Sequence, residues 1–246
     1  MNCLDLTLPT PAENLAADEA LLDALEVNGG AGLLRFWEPK EYFVVVGYAN
    51  HVAVEVNQTA CEADSIPIFR RCSGGGTVLQ GPGCLNCSLI LKIEEGGPLA
   101  SITSANKFIM KRNREAIATS LNTEHGTRNT ELSVQGHTDL TLDGVKFSGN
   151  AQRRKKHFLL FHGTFLLHFD LALVEKYLLM PSKQPDYRQN RTHKDFLMNL
   201  EVSAESVKRT LQEVWRASGP LNAIPNATIA ALARDKYATD EWNFKF

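Results

Sequence analysis

The chain has 246 residues, of which 43% are hydrophobic, and its formal net charge is −2 at pH 7. This length and composition are enough for a buried core, and the near-neutral charge argues against a general nucleic-acid-binding protein. No stretch approaches the roughly 18 consecutive apolar residues of a membrane span, and the first residues lack an apolar signal segment. Five cysteines, an odd number, therefore indicate free thiols and a cytoplasmic location.

The predicted elements begin with a helix at Thr10-Pro11-Ala12-Glu13, a capping box with proline at the first helical position. This helix should end near Asn28-Gly29-Gly30. Residues 32–37 and 42–47 are predicted to be two strands paired around Glu38-Pro39-Lys40. The remaining predicted elements are a helix over 58–64, strands over 66–71 and 85–92, a helix over 102–120, a hairpin about Asp143-Gly144, a strand over 158–169, and helices over 170–179, 204–217 and 226–236.

The helices and strands alternate irregularly and hairpin signals recur. This pattern predicts an α+β fold whose central sheet is mainly antiparallel or mixed. No internal repeat, low-complexity run or Pro/Ser-rich linker interrupts the sequence. We therefore expect a single domain over residues 1–246.

Residues 70–88 form the most informative segment, because five glycines lie within ten positions shortly after two adjacent arginines, Arg70 and Arg71. Glycine lets a backbone approach a ligand closely, and consecutive amide N–H groups form a concavity that binds anions. Arginine side chains add charge and planar donors. The segment is therefore predicted to bind a carboxylate or a phosphate, with a plain glycine-rich hairpin as the alternative. The glycines are Gly74, Gly75, Gly76, Gly81 and Gly83.

A second candidate segment, residues 143–154, begins with Asp143-Gly144, a strong signal for a two-residue hairpin turn. Lys146 would then lie on the strand that leaves the turn. The small residues Ser148-Gly149-Asn150-Ala151 follow it and permit close approach by a ligand. A single lysine on a strand is usually solvated, so a surface role is the alternative interpretation.

Together the two segments resemble the lipoate-protein ligase A family, which belongs to a wider group of lipoyl ligases, octanoyltransferases and biotin-protein ligases. The first match is Arg-Arg-x-Ser-Gly-Gly-Gly-Thr-Val over 70–78, with Asn86 downstream. The second is Asp-Gly-x-Lys-x-Ser-Gly-Asn-Ala-Gln over 143–152. Further segments resemble the family in the same order, so that nearly the whole chain is covered; they are residues 14–21, 36–39, 44–47, 236–237 and 241–243.

The resemblance implies a class II tRNA synthetase-like domain, in which helices flank a central sheet. It also implies an ATP-dependent ligase that activates lipoate or octanoate as an acyl-AMP and transfers the acyl group to a protein lysine. Mg²⁺ would accompany ATP, although no carboxylate cluster in the sequence locates its site. The acceptors would be lipoyl domains of 2-oxoacid dehydrogenase E2 subunits or the glycine-cleavage H protein.

In this interpretation Lys146 is the catalytic residue, because its charge would stabilise the phosphate and acyl oxygens in the transition state. Apolar side chains at Val78, Leu79 and Leu85 would line part of the site for the acyl tail. The residues expected to bind the acid and ATP are Arg71, Ser73, Gly74, Gly75, Gly76, Thr77, Val78, Leu79, Asn86, Ser148 and Gly149.

The main alternative is an octanoyltransferase, which uses a cysteine nucleophile and moves octanoate between carrier proteins without ATP. The resemblance places that cysteine within residues 128–136 or, for other types, within 178–182, and neither stretch contains one. Because the thiolate forms the acyl-enzyme, its absence favours a ligase. A third alternative is a non-catalytic acyl- or nucleotide-binding subunit that acts with a partner.

The chain departs from the family pattern in two places. Leu79-Gln80-Gly81-Pro82-Gly83 occurs where ligases of this group often have a His-Asp pair, and its Gly-Pro-Gly is closer to one octanoyltransferase branch. The chain also stops where the small accessory domain of two-domain ligases would begin. We therefore expect no C-terminal accessory domain, or one that a separate subunit supplies.

The cysteines near the glycine-rich segment have mainly structural interpretations. Cys87 is expected to pack as a small apolar residue on a strand. Cys84-Leu85-Asn86-Cys87 has the C-x-x-C spacing, but the sequence lacks the partners that would complete a zinc site. Cys72 and Cys84 flank the glycines, where a lowered pKa would make either thiol a minor candidate nucleophile.

Other polar residues are also interpreted as structural or solvated. His162 and His168 are predicted to lie on one face of a long strand as a structural pair. Arg188 and Arg191 are interpreted as surface charge, the alternative being a loop over the site. The basic run over 153–157 is interpreted as a solvated turn, with docking of an acidic partner protein as the alternative.

Overall fold

The computed structural model describes residues 1–126, 130–221 and 223–246. Its strands are β1 (Asn2–Asp5), β2 (Leu33–Trp37), β3 (Phe43–Val46), β4 (Ile68–Arg70), β5 (Val78–Gln80), β6 (Cys84–Lys92), β7 (Leu132–Gln135), β8 (Asp139–Leu142), β9 (Val145–Arg154), β10 (Phe158–Leu166) and β11 (Gly219–Pro220). Its α-helices are α1 (Pro11–Asn28), α2 (Val52–Glu55), α3 (Gln58–Ala63), α4 (Ile102–His125), α5 (Ala172–Tyr177), α6 (His193–Phe196), α7 (Ala204–Trp215), α8 (Asn226–Leu232) and α9 (Asp240–Asn243). A 3₁₀ turn covers Asp186–Arg188, and α8 continues as a π-helical turn over Ala233–Tyr237.

The strands form two sheets. The large sheet has the order β11-β1-β2-β6-β10-β9-β8-β7, and the small sheet has the order β4-β3-β5. β1 runs parallel to both β2 and β11, whereas the pairs from β2 to β7 are antiparallel. In the small sheet β3 is parallel to β4 and antiparallel to β5. The mixed sheets flanked by helices confirm the predicted α+β fold.

Helices cover both faces of the large sheet because alternate strand residues point to opposite sides. α4 and α7 pack on one face, against residues such as Leu89 and Phe161. α1 packs on the other face, where Leu22 contacts the set that contains Leu160. In β10, Leu160 and every second residue from it therefore face α1. His162 is one of these residues.

Local signals predicted two features correctly. The Thr10 hydroxyl accepts from the Glu13 amide and Glu13 returns a bond to the Thr10 amide, which confirms the capping box that opens α1. Asp143 and Gly144 both have positive φ, 50° and 76°, as a two-residue hairpin turn requires, and they join β8 to β9. In both cases the geometry depends on only a few adjacent residues.

The predicted pairing of residues 32–37 with 42–47 is wrong. β2 lies in the large sheet between β1 and β6, and β3 is the central strand of the small sheet. The Glu38-Pro39-Lys40 turn therefore carries the chain from one sheet to the other instead of closing a hairpin. Both strands are buried, and burial alone does not specify a strand's partner.

The predicted strand over 158–169 is too long. β10 ends at Leu166, because the amides of Leu167 and His168 both turn to donate to the carbonyl of Gly83. The predicted helix over 170–179 is likewise shortened to α5, while the helix predicted over 102–120 extends to His125. Among the described residues, no helix combines the length and the hydropathy needed to cross a bilayer.

Candidate active site

A cavity of about 890 Å³ opens between the two sheets. Its walls come from β5 of the small sheet, from β9 and β10 of the large sheet, and from the segment that contains the 3₁₀ turn and α6. Both segments that the sequence singled out contribute to these walls. Residues 75–77 of the glycine-rich segment and Lys146 with residues 148–151 all line the cavity.

Arg71 holds the glycine-rich loop from inside. Its guanidinium donates to the carbonyls of Gly74 (2.6 Å) and Gly76 (2.7 Å), and its Nε donates to Oγ of Ser73 (3.2 Å). Burial lowers the pKa of Arg71 to about 10, so that the group remains charged at neutral pH. These hydrogen bonds hold the carbonyls of Gly74 and Gly76 toward the guanidinium.

Arg70 anchors the base of the loop and lies away from the cavity. It is fully buried, and its guanidinium donates to carbonyls that include those of Gly47 (2.9 Å) and Asn243 (2.9 Å). Its backbone amide donates to the side chain of Asn243. Of the two adjacent arginines, only Arg71 therefore contributes to the cavity wall.

A β-bulge directs Lys146 into the cavity. Lys146 is opposite Thr141 and Ser148 is opposite Leu140, so that Phe147 is an extra residue in β9. The bulge buries Phe147 in the core and leaves Lys146 on the same face as Gly149. A Cβ atom at Gly149 would lie only 2.8 Å from the lysine Nζ, which explains why the smallest residue occurs there.

Asp139, which Tyr187 supports, and the Phe196 ring fix the position of Lys146. Its Nζ lies 2.9 Å from Oδ1 of Asp139, and the other oxygen of this carboxylate accepts a 2.7 Å hydrogen bond from the Tyr187 hydroxyl. Burial and the neighbouring carboxylate raise the pKa of Tyr187, which keeps its hydroxyl protonated as a donor. Nζ also lies 5.8 Å from the centre of the Phe196 ring. Lys146 is thus a preorganised cation.

A chain of three side chains connects the glycine-rich loop to α1. Oγ of Ser73 lies 2.6 Å from Nε2 of His162, and Nδ1 of His162 lies 2.9 Å from Oδ2 of Asp18. The other oxygen of Asp18 forms a 2.6 Å ion pair with Arg35. Burial by itself would raise the pKa of Asp18, but Arg35 and His162 together hold it below its ordinary value.

This arrangement corrects the predicted pairing of His162 with His168. His168 lies beyond the end of β10 and is exposed, whereas His162 lines the cavity with Asp18 beside it. The sequence contained no signal that joins these residues, because Asp18, Ser73 and His162 come from three distant segments. The packing of α1 against β10 brings Asp18 to His162, and the loop after β4 brings Ser73 to the same imidazole.

The other predicted site residues divide into three groups. Val78, Leu79, Asn86, Ser148 and Gly149 line the cavity together with Gly75, Gly76 and Thr77. Ser73 and Gly74 belong to the same loop but do not line the cavity; Ser73 is buried and Gly74 is exposed. Leu85, expected to contact an acyl tail, is instead fully buried in the core against α4 and α7.

The segment before α6 closes one end of the cavity and corrects the interpretation of Arg188 as surface charge. Arg188 is only 4% exposed, lines the cavity and stacks on Phe196 at 4.6 Å. Arg191 donates to the carbonyls of Gly144 and Tyr187 and so attaches the segment to the β8–β9 turn. Tyr187, Phe196 and Asp139 were missed from the sequence. Asp139 was detectable in principle, because the predicted hairpin places it near Lys146.

The cysteines near the glycine-rich segment are buried and do not line the cavity. Burial raises the pKa of Cys72 and of Cys84 to about 12, contrary to the lowered pKa considered for them. Cys87 packs in the core as predicted. No cysteine occurs among the described residues that line the cavity, and residues 1–126, 130–221 and 223–246 contain no group of three His, Cys, Asp or Glu side chains arranged to bind a metal. The stretch 128–136 lies partly outside the described residues.

The basic run over 153–157 contacts its own chain. Arg153 donates to the carbonyl of Cys72 (2.7 Å) and Arg154 to that of Leu99 (2.8 Å), while Lys155 pairs with Asp23. Backbone amides of the same run donate to Glu26. These contacts connect β9 and the β9–β10 turn to the rest of the fold.

The chain belongs to the lipoyl protein ligase A/B catalytic domain family, whose model matches residues 10–217. It is 27% identical to octanoyltransferase LipM of Halalkalibacterium halodurans, over 96% of this chain and 95% of that protein. It is 31% identical to a probable lipoate-protein ligase A of Mycoplasma genitalium, over 95% of this chain and 69% of that protein. The chain is therefore an enzyme of the lipoate-protein ligase and octanoyltransferase family.

Two solved structures share the fold. A bi-partite lipoate protein ligase of Thermoplasma acidophilum, described with its E2 lipoyl domain, has a TM-score of 0.79 at 24% identity, covering 99% of this chain and 95% of that one. A lipoate-protein ligase A bound with ATP has a TM-score of 0.74 at 26% identity, covering 99% of both chains. The resemblance to the lipoate-protein ligase A family is thereby confirmed.

Proposed function

We propose that this chain is an ATP-dependent lipoate (or octanoate) protein ligase. It activates the acid as an acyl-AMP and transfers the acyl group to a lysine of a lipoyl domain or H protein. The observation that carries the proposal is the placement of Lys146, a cation fixed by Asp139 in the cavity that the glycine-rich loop also lines. A similar structure bound with ATP supports a nucleotide as the second substrate.

The cavity offers an apolar region and a cationic region, as a fatty acid and its activated carboxyl require. Leu15, Trp37, Val45 and Val78 supply apolar walls beside the glycine-rich loop. The acyl tail would lie against them, with the carboxyl group directed toward Lys146. The amides of Gly75, Gly76 and Thr77 are the proposed donors to phosphate oxygens.

Lys146 would stabilise the negative charge that develops when the carboxylate attacks the α-phosphate of ATP, and again when acyl transfer releases AMP. A fixed cation in a partly buried cavity needs little reorganisation as charge develops, which makes its contribution large. Mg²⁺ bound with ATP usually takes one or two carboxylates and the phosphate oxygens. Asp186, an exposed carboxylate that lines the cavity, is the proposed protein ligand.

The proposed acceptor is a lipoyl domain, which the description of the Thermoplasma acidophilum ligase with its E2 lipoyl domain supports. That ligase is bi-partite, so a separate accessory subunit is also proposed for this chain. The second candidate function is an ATP-independent octanoyl transferase, favoured by the nearly full-length similarity to octanoyltransferase LipM. Against it stands the lack of a thiol among the described cavity residues.

The decisive experiment incubates the purified chain with ATP, Mg²⁺ and lipoate and measures lipoyl-AMP and pyrophosphate. A parallel reaction supplies octanoyl-acyl carrier protein and a lipoyl domain without ATP. We expect lipoyl-AMP in the first reaction, a rate about 10²–10³-fold lower for Lys146→Ala, and no product in the second. Octanoylation without ATP would establish the transferase, and binding of lipoate without turnover would indicate a subunit that requires a partner.

A further inference from the structure

The donor and the acceptor can be assigned for each hydrogen bond in the chain from Ser73 to Asp18. Asp18 is a charged carboxylate that accepts from Ser88 (2.8 Å) as well as from His162, so Nδ1 of His162 carries a proton. Nε2 of a neutral imidazole is then an acceptor, and it accepts a 2.6 Å hydrogen bond from the Ser73 hydroxyl. Arg71 Nε donates to the same hydroxyl oxygen. This proton assignment follows from the network of partners.

The imidazole lies where acyl chemistry would occur. His162 lines the cavity and is paired across the strands with Ala151, which the glycine-rich loop covers at Gly75. Lys146 lies over Gly149, two residues from Ala151 on the same strand, a separation of roughly 7 Å. His162, the glycine-rich loop and Lys146 thus surround one part of the cavity, from different sides.

Acyl transfer to a lysine requires a proton acceptor, whatever the acyl donor. An attacking amine must lose a proton as its nitrogen bonds to the acyl carbon, and a positioned base accelerates this step. Lys146 is a paired cation, and the buried thiols of Cys72 and Cys84 have raised pKa values. Asp18, the carboxylate in contact with His162, is engaged in an ion pair with Arg35, and Arg71 beside Ser73 is engaged with the loop carbonyls.

We infer that His162, oriented by Asp18, is the general base that takes the proton from the acceptor lysine during acyl transfer. The lysine nitrogen forms a bond to the acyl carbon, and the bond from that carbon to the AMP phosphate breaks. The electron pair departs with the phosphate, and the amine proton moves to Nε2 of His162. In this step the Ser73 hydroxyl rotates away from Nε2 and the amine takes its place. Asp18 then stabilises the imidazolium.

The geometry also resembles that of a serine nucleophile with its base, because the hydroxyl is hydrogen-bonded to the imidazole and the imidazole to the carboxylate. Ser73, however, is only 2% exposed and is not one of the residues that line the cavity. An acyl chain on its oxygen would have to displace the contact with Arg71. His162, by contrast, lines the cavity itself. The exposure of the two side chains therefore favours the base over the nucleophile.

The inference rests on the proposed acyl transfer at this site and is tested apart from ATP chemistry. Chemically prepared lipoyl-AMP is mixed with the chain and an excess of lipoyl domain, and single-turnover transfer is followed over a range of pH. We expect His162→Gln to slow transfer by about 10²–10⁴-fold, and its rate to increase with pH as the free amine becomes available. Pyrophosphate release from ATP and lipoate should change little, because that half-reaction needs no base.

Two controls separate a base from a structural residue. His168 is an exposed histidine beyond the end of β10 and outside the cavity lining, and His168→Gln should leave transfer unchanged. His162→Ala should regain activity with added imidazole, which fills the space of the missing ring. Equal losses in both half-reactions, without rescue, would mean that His162 only holds the glycine-rich loop and would overturn the inference. So would an acyl ester on Ser73 detected by mass spectrometry.

The outcomes also separate this inference from the proposed function. A wild-type chain that makes no lipoyl-AMP refutes the ligase, yet transfer from supplied lipoyl-AMP or from octanoyl-acyl carrier protein still tests His162. A wild-type chain that makes lipoyl-AMP, with full transfer activity in His162→Gln, refutes the base and leaves the ligase intact.

Discussion

Lys146 and Asp139 form a 2.9 Å ion pair inside the cavity, and Tyr187 binds the second oxygen of the same carboxylate. The two charged residues lie on neighbouring strands of the β8–β9 hairpin, whereas Tyr187 comes from the segment that closes the cavity. The pair therefore couples the position of the Lys146 ammonium group to the placement of that segment.

Asp139→Asn should lower kcat for adenylate formation by about tenfold, the typical effect of losing one charge-assisted hydrogen bond. KM for the acid should not rise, because the lost carboxylate repels an anionic substrate. The measurement is initial-rate pyrophosphate release. Tyr187→Phe is the matched variant, since it retains the ion pair, and it should lose less activity. An unchanged kcat in Asp139→Asn would show that the ion pair does not position Lys146.

Gly149→Ala should reduce activity by at least tenfold with little effect on thermal stability. The added Cβ would lie 2.8 Å from Nζ and 2.9 Å from Cε of Lys146, so that the lysine must move. A misplacement of about 1 Å can cost up to roughly 10²-fold in rate. Measuring the same change in a Lys146→Ala background provides the control, because no lysine remains to be displaced. A similar additional loss there would contradict the steric explanation.

Asp18→Asn should lower the free energy of unfolding by about 3–5 kcal/mol at pH 7, because it leaves the buried guanidinium of Arg35 without a charged partner. The folded-state pKa of Asp18 is lowered, so its stabilisation is present above the ordinary aspartate pKa of roughly 4 and is lost as pH falls through the folded value. The difference between wild type and variant should therefore decrease in acid.

Urea unfolding curves at several pH values measure this difference. The exposed pair of Arg234 and Asp235 provides the control, and Arg234→Gln should leave the midpoint nearly unchanged. A constant difference between wild type and Asp18→Asn down to the acid limit would mean that the charge of Asp18 does not contribute to stability.

Thiol reagents should not inactivate the native chain. Burial raises the pKa of Cys61 to about 11 and those of Cys72 and Cys84 to about 12, so few thiolates are available. Only Cys3 is partly exposed. We expect slow labelling of about one thiol in the native chain and of all five in denaturant. Rapid inactivation by iodoacetamide, with label on a single cysteine, would instead favour an acyl-cysteine transferase.

Local sequence rules determined the features that depend on a few adjacent residues. The Thr10 to Glu13 capping box and the Asp143-Gly144 turn need only the chemistry of neighbouring side chains, and both were predicted. The same holds for the two candidate segments. Their glycines and Lys146 were selected because small residues and a cation suit an anionic ligand, and the fold brings both segments to one cavity.

The direction in which Lys146 points was decided by the tertiary structure. Its side chain reaches the cavity because Phe147 forms a bulge, and the bulge follows from the register between β8 and β9. Strand partners are equally non-local, which is why β2 and β3 were wrongly paired. Apolar patterns specify which face of a strand is buried, but many strands satisfy the same pattern.

The sequence by itself determined the family, the glycine-rich loop and the lysine, because each is written in consecutive residues. The tertiary structure alone decided that Asp18, Ser73 and His162 form one hydrogen-bond chain, that Arg188 is buried on Phe196, and that no thiol is among the described residues lining the cavity. The physical reason is that burial and long-range contacts depend on how helices and sheets pack. Packing is a property of the whole chain, which no single segment encodes.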